Sequence, residues 1–449
     1  MTKDQEMARR IAALVAQQGG RAYYVGGCVR DALLEKENKD IDMEVHGIRP
    51  GVLEEILDSL GQRMAIGESF GVFGLKGYSL DIAMPRVEKL RGRGHKDFDI
   101  LVDPFIGTEG AARRRDFTVN ALMRDILTGE ILDHFGGRED LEKGILRHVD
   151  DRSFPEDPLR VLRCAQFAAR FGFSVAEETV QLCKTMDLRQ LPKERIEGEL
   201  KKALLKAQYP SVFFETLRQM EQLDIWLPEV KALIGIPQDP RFHAEGDVWV
   251  HTMLVLDEGA KLRHLAENPY WFMLSALTHD FGKAVSTEFI KGGIHAYEHE
   301  KKGRPLAEAF LTRLSSESRL IRYVLNQTEL HMKPNTVAAA NSAVKVTNRM
   351  FDQALDPIGL ICLAEADNRG CRYPGPFHSH QEFLYQRLEV FRETMAKPFV
   401  TGKDLIAAGL TPGEDFSQIL DYAHKLRLAG IEKENALKQT LAQARKLRG

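Results

Sequence analysis

The hydrophobic period of this chain changes once, near residue 150, and that change limits the folds open to it. Before it, short runs such as AYYVG, IDMEV, YSLDIAM and EILDHF alternate apolar and polar residues between glycine turns and helical stretches. From about Phe154 onward, nearly every segment repeats at helical spacing, as in PLRVLRCAQFAARF and RIEGELKKALLKA. A mixed α/β or α+β module followed by helical parts fits this pattern. At 449 residues the chain exceeds a single core. We expect four parts, 1–150, 151–235, 236–390 and 391–449, from the period change, a histidine-rich shift after Pro237 and a glycine-punctuated segment near Pro398.

A net charge of −3 excludes a chain that is basic throughout, so any nucleic-acid surface must be a local patch. The five cysteines stand singly with no CxxC pair, which argues against a disulfide framework or a thiolate zinc site and suits a reducing compartment. The first segment places Met7, Ile11, Leu14 and Val15 at helical spacing before Gly19 and Gly20, which predicts an amphipathic helix and not a signal peptide. No apolar run approaches the roughly 18 residues of a membrane span. We expect a cytoplasmic protein with no membrane partner.

Three motifs in the first part carry chemistry. YYVGGCVRDALL reads as strand, Gly26-Gly27 turn and helix start, either a plain turn or a place where backbone and Arg30 meet an anion. In KDIDMEV, strand alternation puts Asp40, Asp42 and Glu44 on one side. Such neighbouring carboxylates are either solvated acids on a sheet edge or ligands of a hard cation such as Mg²⁺. SLDIAMPR sets Asp81 on another alternating strand, as a third catalytic carboxylate or a satisfied edge acid.

Two further motifs combine acids with arginines. ARRRDFTVNAL spaces Asp116 and Asn120 four apart, so that on a helix both would face the same way and could read ribose hydroxyls, whereas the arginine run by itself reads as a solvated face. In FPEDPLRVLRCAQFAARFGF, Asp157 reads as an N-cap followed by Pro158, with Arg160 and Arg163 along one face. That face is either a solvated basic side or a surface that hydrogen-bonds to base edges and phosphates.

Apolar-Gly-Gly followed after twelve residues by Asp-x-Asp resembles the polymerase β-type nucleotidyltransferase superfamily. With RRRDFTVNAL, DHFGGREDL, EDPLRVLR and LPKERIEGEL in this order, residues 20–230 resemble class II tRNA nucleotidyltransferases, the bacterial CCA-adding enzymes and their poly(A) polymerase relatives. The resemblance implies an α+β fold: a mixed-sheet head, then an all-α neck, body and tail. It also implies template-independent addition of C, C and A to a tRNA 3′ end from CTP and ATP, with poly(A), CC-only or A-only addition as alternatives. Asp40 and Asp42 would bind Mg²⁺, with Asp81 as a third catalytic acid. Gly27, Arg30, Arg115, Asp116, Asn120, Arg160 and Arg163 would contact the nucleotide, and Glu156, Asp157 and Arg160 would read the base. PRVEKLRGRGHKDFD resembles the loop thought to assist the switch from CTP to ATP.

His251, the pair His279-Asp280 and Asp367 resemble the metal ligands of HD phosphohydrolases, implying a divalent transition metal or Mg²⁺ and phosphatase or 2′,3′-cyclic phosphodiesterase activity. A phosphohydrolase with an inactive, RNA-binding head is the alternative of another class. His295, His299 and His331 could support a second metal or position a phosphate, but they fall in less regular sequence, and surface or supporting roles are expected for them ahead of ligation. VTGKDLIAAGLTPGEDFSQIL resembles a tail that helps hold the tRNA elbow, with Lys403, Lys425, Arg427 and the terminal KLRG as its cations; a simple helical packing tail is the alternative.

Overall fold

The computed structural model describes residues 2–36, 41–65, 72–90, 98–290, 292–372 and 377–448. They form two compact units: Met1–Glu199 with Glu215–Gln222, and Leu200–Phe214 with Leu223–Gly449. The fold is α+β, as expected, with its large sheet in the first unit.

That unit opens with the predicted amphipathic helix, Lys3–Gln17, capped by Thr2 and burying Met7, Ile11 and Val15. Strands β1 (Arg21–Val25), β2 (Ile41–His46), β3 (Arg63–Ala65), β4 (Val72–Leu75) and β5 (Leu80–Ala83) follow. Then come β6 (Arg86–Leu90), β7 (Phe98–Val102), β8 (Met123–Asp125) and β9 (Ile131–Leu132). Seven of the strands form one sheet in the order β3-β4-β5-β2-β1-β8-β9, while β6 and β7 pair separately. Among these nine strands, the described pairings are antiparallel except β2 with β5. The side of the sheet bearing Met43, Val45, Leu80 and Ile82 packs on the first helix and on Leu53, Ile56 and Leu57 of Pro50–Leu60. Burying one side fixes the register, so the other side of the central strands is left for chemistry.

Among its described residues the second unit is helical apart from loops and the hairpin Thr287–Ile290/Gly293–Ala296. Its helices include Val248–Leu262, Pro269–Thr278, His299–Leu314, Ser318–Leu330 and Pro357–Gly370. Capping follows sequence: Asp247, Asn268 and Asp356 each accept backbone N–H groups at a helix start, and Pro269 and Pro357 occupy first-turn positions. In the tail, Leu405, Ile419, Ala436 and Ala444 make a small core of their own. Arg427 lies over the Phe399 ring at 3.8 Å and donates to the Met395 carbonyl, so this tail cation has a structural task. Among the described residues no helix is long and apolar enough to cross a membrane.

Candidate functional site

In the first unit the parallel pairing of β2 and β5 sets Asp42 directly opposite Asp81. Neither strand is an edge, since β2 lies between β1 and β5, and β5 between β2 and β4. Solvated edge acids therefore do not describe this pair. Asp40 lies outside the described residues, as do residues 91–97 of the expected nucleotide-switch loop.

Asp42 and Asp81 lie in a cleft of about 440 Å³ whose lining includes Arg86, Arg114, Arg115 and Arg160, with Glu156 and Asp157 beside them. Two carboxylates on paired positions repel unless a cation lies between them, and arginines are suited to triphosphate oxygens. Gly26, at φ 65° and ψ −130°, has a backbone conformation that an L side chain resists. A Cβ there would lie 3.2 Å from Arg115 Nη1 and 4.0 Å from Asp42 Oδ2, so the missing side chain leaves room at the site. Gly27 opens the short helix Gly27–Leu33, and it is Gly26 that approaches the acid.

Glu44 shares the acids' side of β2 but is buried, its Oε1 2.8 Å from His46 Nε2 and its Oε2 accepting from Arg115 Nη2 at 3.1 Å. Burial alone would raise its pKa; the His46 and Arg115 partners outweigh burial and hold it below the usual value. Glu44 thus aims Arg115. Arg114 donates to Glu156 at 3.2 Å, and Arg160 donates to the carbonyls of Ser153 at 2.6 Å and Arg114 at 2.7 Å. Asp157 is extended, Pro158 is already helical, and Asp157 Oδ1 accepts from Leu159 N at 3.1 Å, the cap expected from sequence. Its other oxygen accepts from Arg195 at 2.8 Å.

Arg30, Asp116, Asn120 and Arg163 are placed differently from the expectation. None of the four is among the described residues that line the cleft. Arg163 donates to Asp116 Oδ2 through Nε at 2.8 Å, and Asp116 Oδ1 accepts from Asn120 Nδ2 at 2.9 Å. Asn120 Oδ1 in turn accepts from Arg30, whose guanidinium also pairs with Asp31 and lies 4.4 Å over the Phe171 ring. Arg30 is only 3% exposed. Burial would raise the Asp116 pKa, but Arg163 and Asn120 overcome it and keep the carboxyl below its ordinary value. This polar relay ties Gly27–Leu33, the turn Thr118–Asn120 and helix Leu159–Phe171 behind the cleft. The i, i+4 spacing did bring Asp116 and Asn120 together, but in the interior, where Asp116 meets Arg163 and Asn120 meets Arg30.

In the second unit, the ring of His251 Nε2 neighbours includes Asp367 Oδ1 at 3.0 Å, His279 Nε2 at 3.4 Å and Asp280 Oδ2 at 3.6 Å. His251, His279 and Asp367 present donor atoms within 4.8 Å of one another and could hold one cation, with Asp280 Oδ2 beside them at 3.2 Å from His279 Nε2. Outer partners fix the rings: Glu245 accepts from His251 Nδ1 at 2.9 Å, and the Ala276 carbonyl from His279 Nδ1 at 2.8 Å. Glu245 also contacts His243 Nδ1 at 2.8 Å and accepts from Arg372 N at 2.9 Å. Burial opposes ionisation of Asp367, yet the His251 contact brings its pKa well below the usual carboxylate range. Lys283 Nζ stands 2.7 Å from Asp280 Oδ2. Sequence reading named the four ligand candidates but passed over Glu245 and Lys283; HDFGK, with lysine three residues after the aspartate, was the available signal.

His299 and His331 are not at the surface, one of the two places expected of them. Both are buried beside Asp280, His331 at 0% exposure. His295 is half-buried and stacks on Tyr297 with ring centroids 5.1 Å apart. A cavity of about 560 Å³ opens over Asp280, Lys283, His299 and Asp367, with His295 and Tyr297 on its wall.

Paired acids on central parallel strands, facing an arginine-walled cleft on a mixed sheet, define a nucleotidyltransferase head. The family model for the Poly A polymerase head domain matches residues 22–147, and that for the probable RNA and SrmB-binding site of polymerase A matches residues 172–234. The multifunctional CCA protein of Actinobacillus pleuropneumoniae serotype 5b (strain L20) is 37% identical over 363 residues, covering 78% of this chain and 85% of that one. Its counterpart in Xanthomonas euvesicatoria pv. vesicatoria (strain 85-10) is 34% identical, with 92% and 98% covered. The chain belongs to the multifunctional CCA protein family. The solved CCA-adding enzyme of Bacillus stearothermophilus in complex with CTP has a similar fold, with TM-score 0.66, 20% identity and coverage of 100% and 99% of the two chains. So does the Thermotoga maritima CCA-adding enzyme complexed with tRNA, at TM-score 0.63, 21% identity and coverage of 98% and 95%.

Proposed function

We infer that the chain uses the Asp42–Asp81 cleft to extend tRNA. It adds C, C and A to the 3′ end from CTP and ATP without a nucleic-acid template, releasing pyrophosphate. The observation that carries the site assignment is the parallel register that puts Asp42 opposite Asp81 in a cleft walled by arginines.

Asp40 and Asp42 would hold Mg²⁺, with Asp81 beside them; the ion would favour the ionised 3′-hydroxyl and neutralise triphosphate charge. The 3′-oxygen attacks the α-phosphorus, and the bond to the pyrophosphate oxygen breaks. Arg115, aimed by Glu44, and Arg160 hold phosphate oxygens. Glu156 and Asp157 accept hydrogen bonds from exocyclic amino groups, which C and A share, and Arg160 donates to a ring nitrogen. The Arg30–Asn120–Asp116–Arg163 relay holds these parts in register and touches no substrate. We divide the chain into head (1–150), neck (151–235), HD body (236–390) and a tail (391–449) that meets the tRNA elbow. Synthesis on tRNA places the protein in the cytoplasm.

In the second unit, His251, His279, Asp280 and Asp367 would hold a divalent metal, for which mixed imidazole and carboxylate donors favour a transition ion. We propose phosphatase or 2′,3′-cyclic phosphodiesterase activity there, with Lys283 binding a phosphate oxygen. The test uses Asp42→Ala and His279→Ala in the full chain. Asp42→Ala should abolish nucleotide incorporation and spare metal-dependent phosphatase activity, and His279→Ala should do the reverse. Incorporation that survives Asp42→Ala would remove the head assignment; phosphatase activity that survives His279→Ala would remove the other.

A further inference from the structure

We propose that the second unit binds a nucleoside phosphate in a cavity between helices Pro269–Thr278 and Ser318–Leu330, with the base on Trp271 and the phosphate at Arg319 and Arg322. The cavity holds about 470 Å³ and shares no described lining residue with the one over Asp280. Trp271, Tyr323, Arg319, Arg322, Leu355 and Glu267 stand on its walls. The size suits one small ligand, since such sites run from about 300 to 1,000 Å³.

The two arginines supply the anion site. They stand three apart on Ser318–Leu330 and so leave the helix on the same face. Both are exposed, and among the described residues neither reaches a carboxylate in an ion pair. Other arginines on the helices of this unit are neutralised by glutamates: Arg304 by Glu329, Arg313 by Glu229 and Arg369 by Glu365. Neighbouring like charges on one helix face repel, and an anion between them removes that cost. The planar guanidinium fork matches phosphate oxygens.

Trp271 gives the cavity a flat apolar wall. Tyr323 is only 4% exposed and tilts against the indole at 57°, with ring centroids 5.5 Å apart. It therefore backs Trp271, which is half-buried and keeps surface open to the cavity. Leu355, 40% exposed, adds an apolar side chain. Hydrogen bonds brace these walls. Asp356 Oδ2 accepts from the Tyr323 hydroxyl at 2.8 Å and from Glu267 N at 3.1 Å. Asn268 Oδ1 accepts from Trp271 N at 3.2 Å, and Asn326 Oδ1 from Leu355 N at 2.9 Å. A site braced in this way is formed before its ligand arrives, which lowers the ordering cost of binding. Inorganic phosphate would leave the indole idle, and an apolar ligand would leave the arginines unmet. A base stacked on Trp271 with its phosphate at the arginines uses both, and Glu267 can accept from a ribose hydroxyl or a base amino group. The same chemistry is offered by a free nucleotide and by an unstacked nucleotide of RNA.

The test labels the full-length chain with fluorotryptophan and follows the Trp271 resonance, assigned with Trp271→Phe, by fluorine NMR. AMP, ribose phosphate and a single-stranded oligoadenylate are titrated separately into the parent and into the double variant Arg319→Ala/Arg322→Ala. The Trp271 resonance should move saturably with AMP. Ribose phosphate, which lacks the base, should bind about tenfold more weakly, and AMP should bind the double variant about tenfold more weakly. Oligoadenylate binding tighter than AMP identifies RNA as the source, and the reverse identifies a free nucleotide. A Trp271 resonance that neither AMP nor oligoadenylate moves at millimolar concentration would overturn the proposal, as would equal titrations of parent and double variant. Should the double variant unfold by circular dichroism, AMP against ribose phosphate in the parent still decides, equal affinity counting against the site.

Discussion

Asp42 and Asp81 are register partners on parallel strands in the interior of the head sheet, 39 positions apart in sequence and opposite each other in space. If they share the task of holding the reacting phosphate, neither tolerates loss of charge. Asp81→Asn should reduce the rate of CMP incorporation by about a thousandfold, or roughly 4 kcal/mol of barrier, with folding unchanged. Rapid-quench incorporation assays measure this; a loss below tenfold would make Asp81 a bystander.

Gly26 has a conformation reserved for glycine and faces Arg115. Gly26→Ala should cost about 1–3 kcal/mol of strain. The measurable outcome is a lower melting temperature of the head and a raised KM for CTP, since the new methyl displaces Arg115.

Glu44→Gln retains the shape of Glu44 but removes the charge that aims Arg115. We expect the KM for both nucleotides to rise about tenfold, the equivalent of one weakened charged hydrogen bond, with a smaller change in kcat. Steady-state kinetics with CTP and ATP separate the two.

The Asp116–Arg163 pair gives a pH dependence. Asp116 has a folded pKa below its unfolded value of about 3.9. Its contribution to stability is therefore complete above that unfolded value and is lost as pH falls through the lower, folded one. Urea unfolding should show this acid-side loss in the parent and a shallower slope in Asp116→Asn. Arg163→Ala, which leaves Asp116 buried without its main partner, should cost about 2–3 kcal/mol at neutral pH.

Much of this was legible in the sequence. Alternation identified which side Asp42 and Glu44 share, and the Gly-Gly turn and Asp157 cap fell where spacing put them. Depth was not legible. Arg30 and Arg163 look like phosphate ligands in sequence, but buried Asp31, Asn120 and Asp116 draw them inward. Glu44 became a partner of Arg115 because a residue 71 positions away arrives beside it. His299 and His331 sit in segments of weak pattern, and only the close approach at Gly282 and Gly303 brings His299 to Asp280.

Glu245 receives the Nδ1 hydrogen of His251. Glu245→Gln should weaken retention of metal in the second unit by about 10–100-fold. Competition with a chelator measures the shift, and incorporation of CMP and AMP should be unaffected.

The central claim is that the cleft at Asp42 and Asp81 builds the tRNA terminus residue by residue. Purified chain, Mg²⁺ and a labelled tRNA ending before CCA would be given CTP alone, ATP alone, or both, and the products sequenced. The account predicts two cytidines with CTP alone and a terminus completed as CCA with both nucleotides. Long adenosine tails with ATP alone, or no extension by the parent under any condition, would contradict it.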